Sequence, residues 1–408
     1  MRNRSGLIAL ITADIVSAVG SRISVLALPW LVLITTGSPA KMGLVAAAEM
    51  IPYLITGVFA TPLADRFGLR RTSICTDIGS AVAMAAIAAA PKLGFGALLV
   101  LVAVIGALRG VGDRVKNALI RPMAELAGAK LIRVTSSYEG LSRGATLLGA
   151  PLAGVLIAQF GVTTAIWIDA ATFAICAVIV LALVRPPAPA EPAVPPEREP
   201  YLTALSGGFR YLRQDQRLAG MVMIIFALNL FSNAGTAVFI PLWINEHLHS
   251  ANALGLAIGA FAAGALIGNI LFTAVATRLP LQLAFVVGAV ISGAPRLFAL
   301  GLSDSLLLVC VISLLSGVGL AAVNPVLGAM LYERVPVALQ TRVIGLVGSL
   351  CFAGLPIGAL LAGQGTALLG LTNALLVAAG ICLVVTLIPV VRWTPSTAEE
   401  VPSDPQRA

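Results

Sequence analysis

The chain has 408 residues, of which 59% are hydrophobic and only 11% charged, with a net charge of +8. A soluble domain is about one quarter charged, so a soluble globular fold is excluded. The positive surplus sits in short loops between apolar runs, which argues against a nucleic-acid partner and for a topology signal.

Twelve apolar runs reach the length of a membrane helix, about 20 residues. They lie near 7–34, 42–61, 73–90, 95–119, 139–160, 163–184, 219–243, 253–276, 281–301, 305–329, 342–363 and 367–391. They are apolar on all sides rather than alternating, so helices are expected and not barrel strands. The basic start, MRNRS, precedes a run too long for a cleaved signal, so the first span is expected to be retained. With the N-terminus inside, eighteen Lys and Arg fall in loops on the cytoplasmic side, and only Lys41 and Lys92 on the other. The expectation is an integral protein of the cytoplasmic (inner) membrane with both termini cytoplasmic, in contact with lipid headgroups.

The segment 185–200, RPPAPAEPAVPPEREP, is proline-rich and divides the chain. After it, Tyr201, Leu205, Phe209 and Leu212 recur at helical spacing, as in a short amphipathic helix on the membrane face. The expected organisation is an N-terminal six-helix half (1–184), a linker with that helix (185–217), a C-terminal half (218–392) and a disordered tail (393–408).

Four charges crowd into PLADRFGLRR between the second and third spans. Leu63-Ala64-Asp65-Arg66-Phe67-Gly68-Leu69-Arg70-Arg71 resembles the loop 2–3 signature of the major facilitator superfamily in order, position and span count. The resemblance implies a latch between two six-helix halves. Asp65 would face the segment around Arg342, and Arg66 would pair with Asp113 or Glu125. The equivalent loop in the second half, ATRLPLQ (276–282), keeps only Arg278. In span five, Gly144, Gly149, Pro151 and Gly154 resemble, with shifted spacing, a glycine–proline signature of proton-driven antiporters, although close packing through small residues needs no antiport. Other stretches, GSRISVLALPWLVL (20–33), GLVAAAEMIPYLITGVFATPLADR (43–66), WIDAATFA (167–174) and RVIG (342–345), are similar to the macrolide-efflux and siderophore-exporter branch. This implies export of a bulky amphipathic molecule.

Ionisable groups at bilayer depth are costly and mark function by default. At 1.5 Å per residue, Asp14 and Arg109 come out about 10 Å from the cytoplasmic edge. Arg22 and Glu49 lie in the outer half, and Asp113 and Arg143 near the inner edge. Equal depth pairs Asp14 with Arg109, Glu49 with Arg22, and Asp113 with Arg143. Glu49, deep in GLVAAAEMIPYL, is the first choice of coupling acid and Asp14 the second. A static Glu49–Arg22 lock is the alternative. Arg109 falls where the superfamily often carries a span-four arginine linked to proton transfer. Asp169 is expected to be a structural partner on a peripheral helix. Asn229 and Asn233 share one face of span seven, to bind a solute or a neighbouring helix. Arg296 is isolated beside Pro295, to snorkel or to pair.

No GxxxxGK[ST] occurs, and no nucleophile–His–acid set assembles, so neither ATP hydrolysis nor any other enzyme chemistry is expected. His247 and His249 with Glu246 make a weak metal pattern, and no metal is expected. The five cysteines form no CxxC pair and are expected to be buried thiols. The overall expectation is an all-α secondary transporter of twelve helices in two halves, with no cofactor and a proton gradient as energy source. Its partners would be protons, lipid and an amphipathic small molecule, and it would work as a monomer that exports its substrate. An uncoupled facilitator, an uptake system, or a lipid or lysolipid flippase of the same fold fits the same pattern. A channel would need a sustained polar stripe, and none is present.

Overall fold

The structure is a computed structural model and describes residues 2–58, 60, 66–90, 94–186 and 209–392. Asp65 of the loop signature, most of the linker and the tail lie outside the described residues. In chain order the helices are α1 (Arg2–Thr36), α2 (Pro39–Val58), α3 (Leu69–Ala89), α4 (Phe95–Leu126), α5 (Leu131–Phe160) and α6 (Val162–Leu183). The second set is α7 (Gln216–His247), α8 (Ala251–Val275), α9 (Leu281–Leu302), α10 (Leu306–Arg334), α11 (Val337–Leu369) and α12 (Leu371–Arg392). Among the described residues, eleven of these are long and apolar enough to cross a membrane. The other, α2, interrupts its apolar run with Lys41 and Glu49.

Helices satisfy every interior backbone group within one segment, which hydrocarbon demands. Their outward residues, such as Val82, Leu181, Leu307 and Val384, are exposed and apolar, as a lipid-facing belt requires. Two helices depart from regularity. α7 carries a π-helical turn at Gly235–Phe239, and α9 breaks at Gly293.

Within each set of six the packing repeats. α2 lies on α4 as α8 lies on α10, and α1 lies on α5 as α7 lies on α11. The halves meet along α2–α11 and α5–α8. Call the end where α1 begins the proximal face and the opposite end the distal face. The tight joins lie toward the distal face. Gly43 abuts Ala359 and Gly363, and Gly154 abuts Gly255 so closely that an added Cβ would lie 2.6 Å from the Gly255 Cα. Toward the proximal face, Gly140 and Gly144 of α5 and Gly345 and Gly348 of α11 meet open space. A cavity of about 400 Å³ lies there, bordered by Arg143, Asn269 and Asn324. The bundle is therefore closed distally and open proximally.

Three expectations about the chain's ends and turns are refined. α4 runs past the anticipated 119 to Leu126, and α5 starts at Leu131 rather than 139, because charged turns extend both helices beyond the apolar run. Of the anticipated 201–217 helix, residues 209–214 are described and helical. There Leu212 is buried, and the Tyr211 hydroxyl donates to the Arg334 carbonyl at 2.5 Å. Asp215 follows as the N-cap of α7. It accepts from the N–H groups of Arg217 at 3.1 Å and Leu218 at 3.0 Å, and from Arg334 Nε at 2.7 Å. Burial alone would raise its pKa, but these donors together hold it below the ordinary carboxylate value.

Candidate functional site

The charged groups inside the N-terminal half form two clusters. The first lies between α2 and α4. Gly106 and Gly110 let α4 close onto α2, since a Cβ at either would collide with the Glu49 or Tyr53 carbonyl. That approach sets Arg109 against Glu49, and the two side chains form an ion pair. The Tyr53 ring lies 5.9 Å beneath the Arg109 guanidinium, and its hydroxyl donates to Asp113 Oδ2 at 3.2 Å. Arg22 of α1 feels the charges of Arg109, Tyr53, Asp113 and Glu49, yet its side chain is exposed. Its Cβ packs on Gly149 of α5, in the same half. Glu49 is only 5% exposed, so its charge rests on the pair with Arg109.

The second cluster joins five helices. Lys116 of α4, 2% exposed, lies 3.2 Å from Asp14 of α1 and 3.2 Å from Asp77 of α3. Tyr138 of α5 donates to Asp14 Oδ2 at 2.6 Å, and Cys176 of α6 lies 3.9 Å from the Lys116 Nζ. Two carboxylates thus share one ammonium. Asp169 of α6 is held separately by Ser24 and by Thr172 at 3.1 Å, as a structural partner would be.

The pairings drawn from depth are corrected throughout. Glu49 binds Arg109 and not Arg22, Asp14 binds Lys116 and not Arg109, and Asp113 binds Tyr53 and not Arg143. Arg143 instead pairs with Glu139 one turn away at 3.0 Å, on the cavity wall. The reason is that α4 is longer than its apolar run, so Arg109 sits near its middle, level with the middle of α2. The sequence alone gives Asp77, Lys116, Tyr53 and Tyr138 no role. Asp77 carries the clearest missed signal, a lone acid in the apolar run of α3.

In the loop signature, Gly68 takes φ +83° and begins α3. Arg70 donates to the carbonyls of Val180, at 3.4 Å, and Leu181, closing the end of α6. Arg66 lies 5.3 Å over the Phe67 ring, and Arg71 is exposed. The pairing of Arg66 with Asp113 or Glu125 does not form, because Tyr53 holds Asp113 and Arg121 holds Glu125 at 3.0 Å. In the span-five signature, Gly149 packs on the Arg22 Cβ, Pro151 on Gly259 and Gly154 on Gly255, while Gly144 faces open space. Three of its four residues therefore lie on helix contacts, two of them at the seam between the halves.

In the C-terminal half, Asn229 and Asn233 donate to the Cys351 carbonyl at 2.9 Å and the Leu355 carbonyl at 2.7 Å. Both thus bind the backbone of α11 through an amide N–H, and Asn229 also borders a small cavity of the C-terminal half. Arg296 neither snorkels nor pairs. It is 5% exposed and lies 4.7 Å over the Phe261 ring. His247 Nε2 lies 3.2 Å from Asp304.

A family model described as Major Facilitator Superfamily matches residues 10–235 and 222–408. The multidrug efflux pump Tap of Mycobacterium tuberculosis is 27% identical over 378 residues, covering 90% of this chain and 89% of that protein. Tap of Mycolicibacterium fortuitum is 27% identical, covering 88% and 89%. Among solved structures, a mutant of the nucleoside transporter NupG superposes with a TM-score of 0.81 at 13% identity, covering 95% of this chain and 100% of that one. A bacterial homologue of the lysosomal transporter Spinster, inward-facing and unoccupied, gives 0.72 at 14% identity, covering 97% and 99%. With two six-helix halves around a cavity and a family match along nearly its whole length, the chain is a membrane transporter of the Major Facilitator Superfamily.

Proposed function

We propose that the chain is a proton-coupled exporter of amphipathic small molecules that works by alternating access. The observation that carries this is the buried Glu49–Arg109 pair, with Arg22 close enough to feel both charges. A carboxylate held only by one arginine has two stable states in a dry site, paired and ionised or protonated and free. The likeness to Tap supports efflux as the direction. The many cations in the proximal loops support a cytoplasmic proximal face in the inner membrane.

The cycle follows from these residues. With the bundle open proximally, Glu49 is ionised on Arg109, and a solute enters from the cytoplasm or the inner leaflet. The halves then rock, the distal seam opens, and a proton from outside neutralises Glu49. Arg109 loses its partner, the solute leaves, and the protonated carrier returns. Proximal opening releases the proton inward and restores the pair. Asp14, within hydrogen-bonding distance of Tyr138 and Lys116, is the second acid that can follow the same course. The gradient supplies the energy without a cofactor, and one chain holds the complete cavity, so a monomer suffices.

The test is proton release into weak buffer when a panel of amphipathic antibiotics is added to the purified protein in detergent. In detergent the protonated and ionised carriers exchange, so binding, which selects the ionised one, should draw protons off wild type, and Glu49→Gln should release none. Binding with no proton signal in either protein overturns coupling and leaves a facilitator or lipid carrier. A signal that survives in Glu49→Gln and vanishes in Asp14→Asn moves the role to Asp14.

A further inference from the structure

Arg296 is a buried cation without a counter-ion. Its Nε and Nη2 atoms have no hydrogen-bond partner, and no carboxylate of the described residues forms an ion pair with it. Its one charge-related contact is the face of Phe261. An arginine in hydrocarbon surroundings without an acid is costly, and nothing in the packing of α9 needs it. Nε and Nη2 form one edge of the guanidinium, the edge that grips a carboxylate through two parallel bonds.

The surroundings repeat the same charge preference. α9 breaks at Gly293, and a nine-residue segment, Ala294–Leu302, starts there. The first turn of that segment, with Gly293, Arg296 and Leu297, borders a cavity of about 40 Å³. A broken helix presents its positive N-terminal end, which favours anions. Interrupted helices in transporters aim such ends at anionic groups of the solute. Ser232 and Ser292 add hydroxyls to the wall, and Phe261 adds an apolar side. The volume holds about three water-sized groups, at roughly 10–15 Å³ each, which is the size of a carboxylate. Arg296 itself lines that space.

We propose that Arg296 and the broken end of α9 form a site for the carboxylate of an amphipathic organic acid, whose apolar part lies along Phe261. This deepens the transport reading above and rests on it for the solute being cargo. The transported class is then anionic, and the acid neutralises Arg296 while it is bound.

The experiment uses the full chain in detergent with gluconate as the bulk anion. Phenylbutyrate and its neutral amide, phenylbutyramide, are the probes, and thermal unfolding and equilibrium binding are read. Wild type should be stabilised by the acid and not by the amide. Arg296→Gln should bind the acid about ten- to a hundredfold more weakly, as expected on losing a charge-assisted pair, with Arg296→Lys in between. Equal binding of acid and amide by wild type overturns the proposal, even if the variants do not fold. So does undiminished acid binding by Arg296→Gln. Chloride that stabilises wild type and displaces phenylbutyrate at equal concentration also overturns it, in favour of a halide site. Acid-selective binding without proton release fails the coupling reading alone, while proton release without acid selectivity fails this one alone.

Discussion

Replacing Gly154 with alanine should force the distal seam apart. The new methyl would lie 2.6 Å from the Gly255 Cα and 2.7 Å from its nitrogen, against an ordinary contact of at least 3.4 Å. α5 and α8 must therefore separate by about 0.8 Å, the difference between 3.4 and 2.6 Å. The obstruction is backbone, which has no rotamer to yield. Overpacking of this kind costs about 1–3 kcal/mol, and the cost falls only on the state in which the helices touch. A bias of that size shifts a two-state population about 5- to 150-fold. Spin labels at Gln159 and Asn252, in a chain lacking the exposed Cys75 and the half-buried Cys310, report the distal gap. The long-distance population should grow at least about fivefold on that scale. Gly144→Ala, on the same helix but facing open space, should change nothing. An unchanged distance distribution in a folded Gly154→Ala protein, or an equal shift in Gly144→Ala, would refute the reasoning.

Lys116→Met should destabilise the fold by about 3–5 kcal/mol, because it strands Asp14 and Asp77 beside each other. Asp77→Asn should cost less, since Lys116 keeps Asp14, and melting curves in detergent compare the two. Asp215→Ala removes an N-cap, at about 0.5–2 kcal/mol. The folded pKa of Asp215 lies below its ordinary 3.8, so its stabilisation is complete above that value and fades as pH falls through the folded one. The melting gap between wild type and Asp215→Ala should accordingly narrow below about pH 4 and stay constant from there to neutrality. Gly68→Ala meets no atom but must hold φ +83°, so its expected cost of about 1–3 kcal/mol is backbone strain alone. A melting temperature equal to wild type would exclude that strain.

The helix count and part of the membrane-buried charge are legible in the sequence, because Glu49 and Asp14 each stand alone in an apolar run. Their partners are not legible. Depth gives one coordinate, while the direction a side chain faces depends on which helix lies beside it. Glu49 meets Arg109 because Gly106 and Gly110 bring α4 within touching distance of α2, a fact of packing and not of spacing. Asp77 stays inconspicuous because one acid in a small-residue helix resembles a helix-packing residue until Lys116 is seen against it. Asn229 and Asn233 share a face, as their spacing requires, but that face meets the α11 backbone. The break in α9 is written only as a glycine before alanine and proline, a pattern that helices in membranes also tolerate unbroken.

The distal seam is joined by glycine and alanine backbone and by apolar side chains of α1, α2 and α7, and among the described residues no ion pair or side-chain hydrogen bond crosses between the halves there. Such a closure has no charge for salt to screen and no group for the distal medium to titrate. Ionic strength and the acidity of the distal medium should therefore leave its intrinsic opening rate alone. Whatever commands the switch must act from within, through charge states in the interior of the halves. The distal side is left with a plain mechanical door, and the logic of the cycle is kept away from the medium that bathes it.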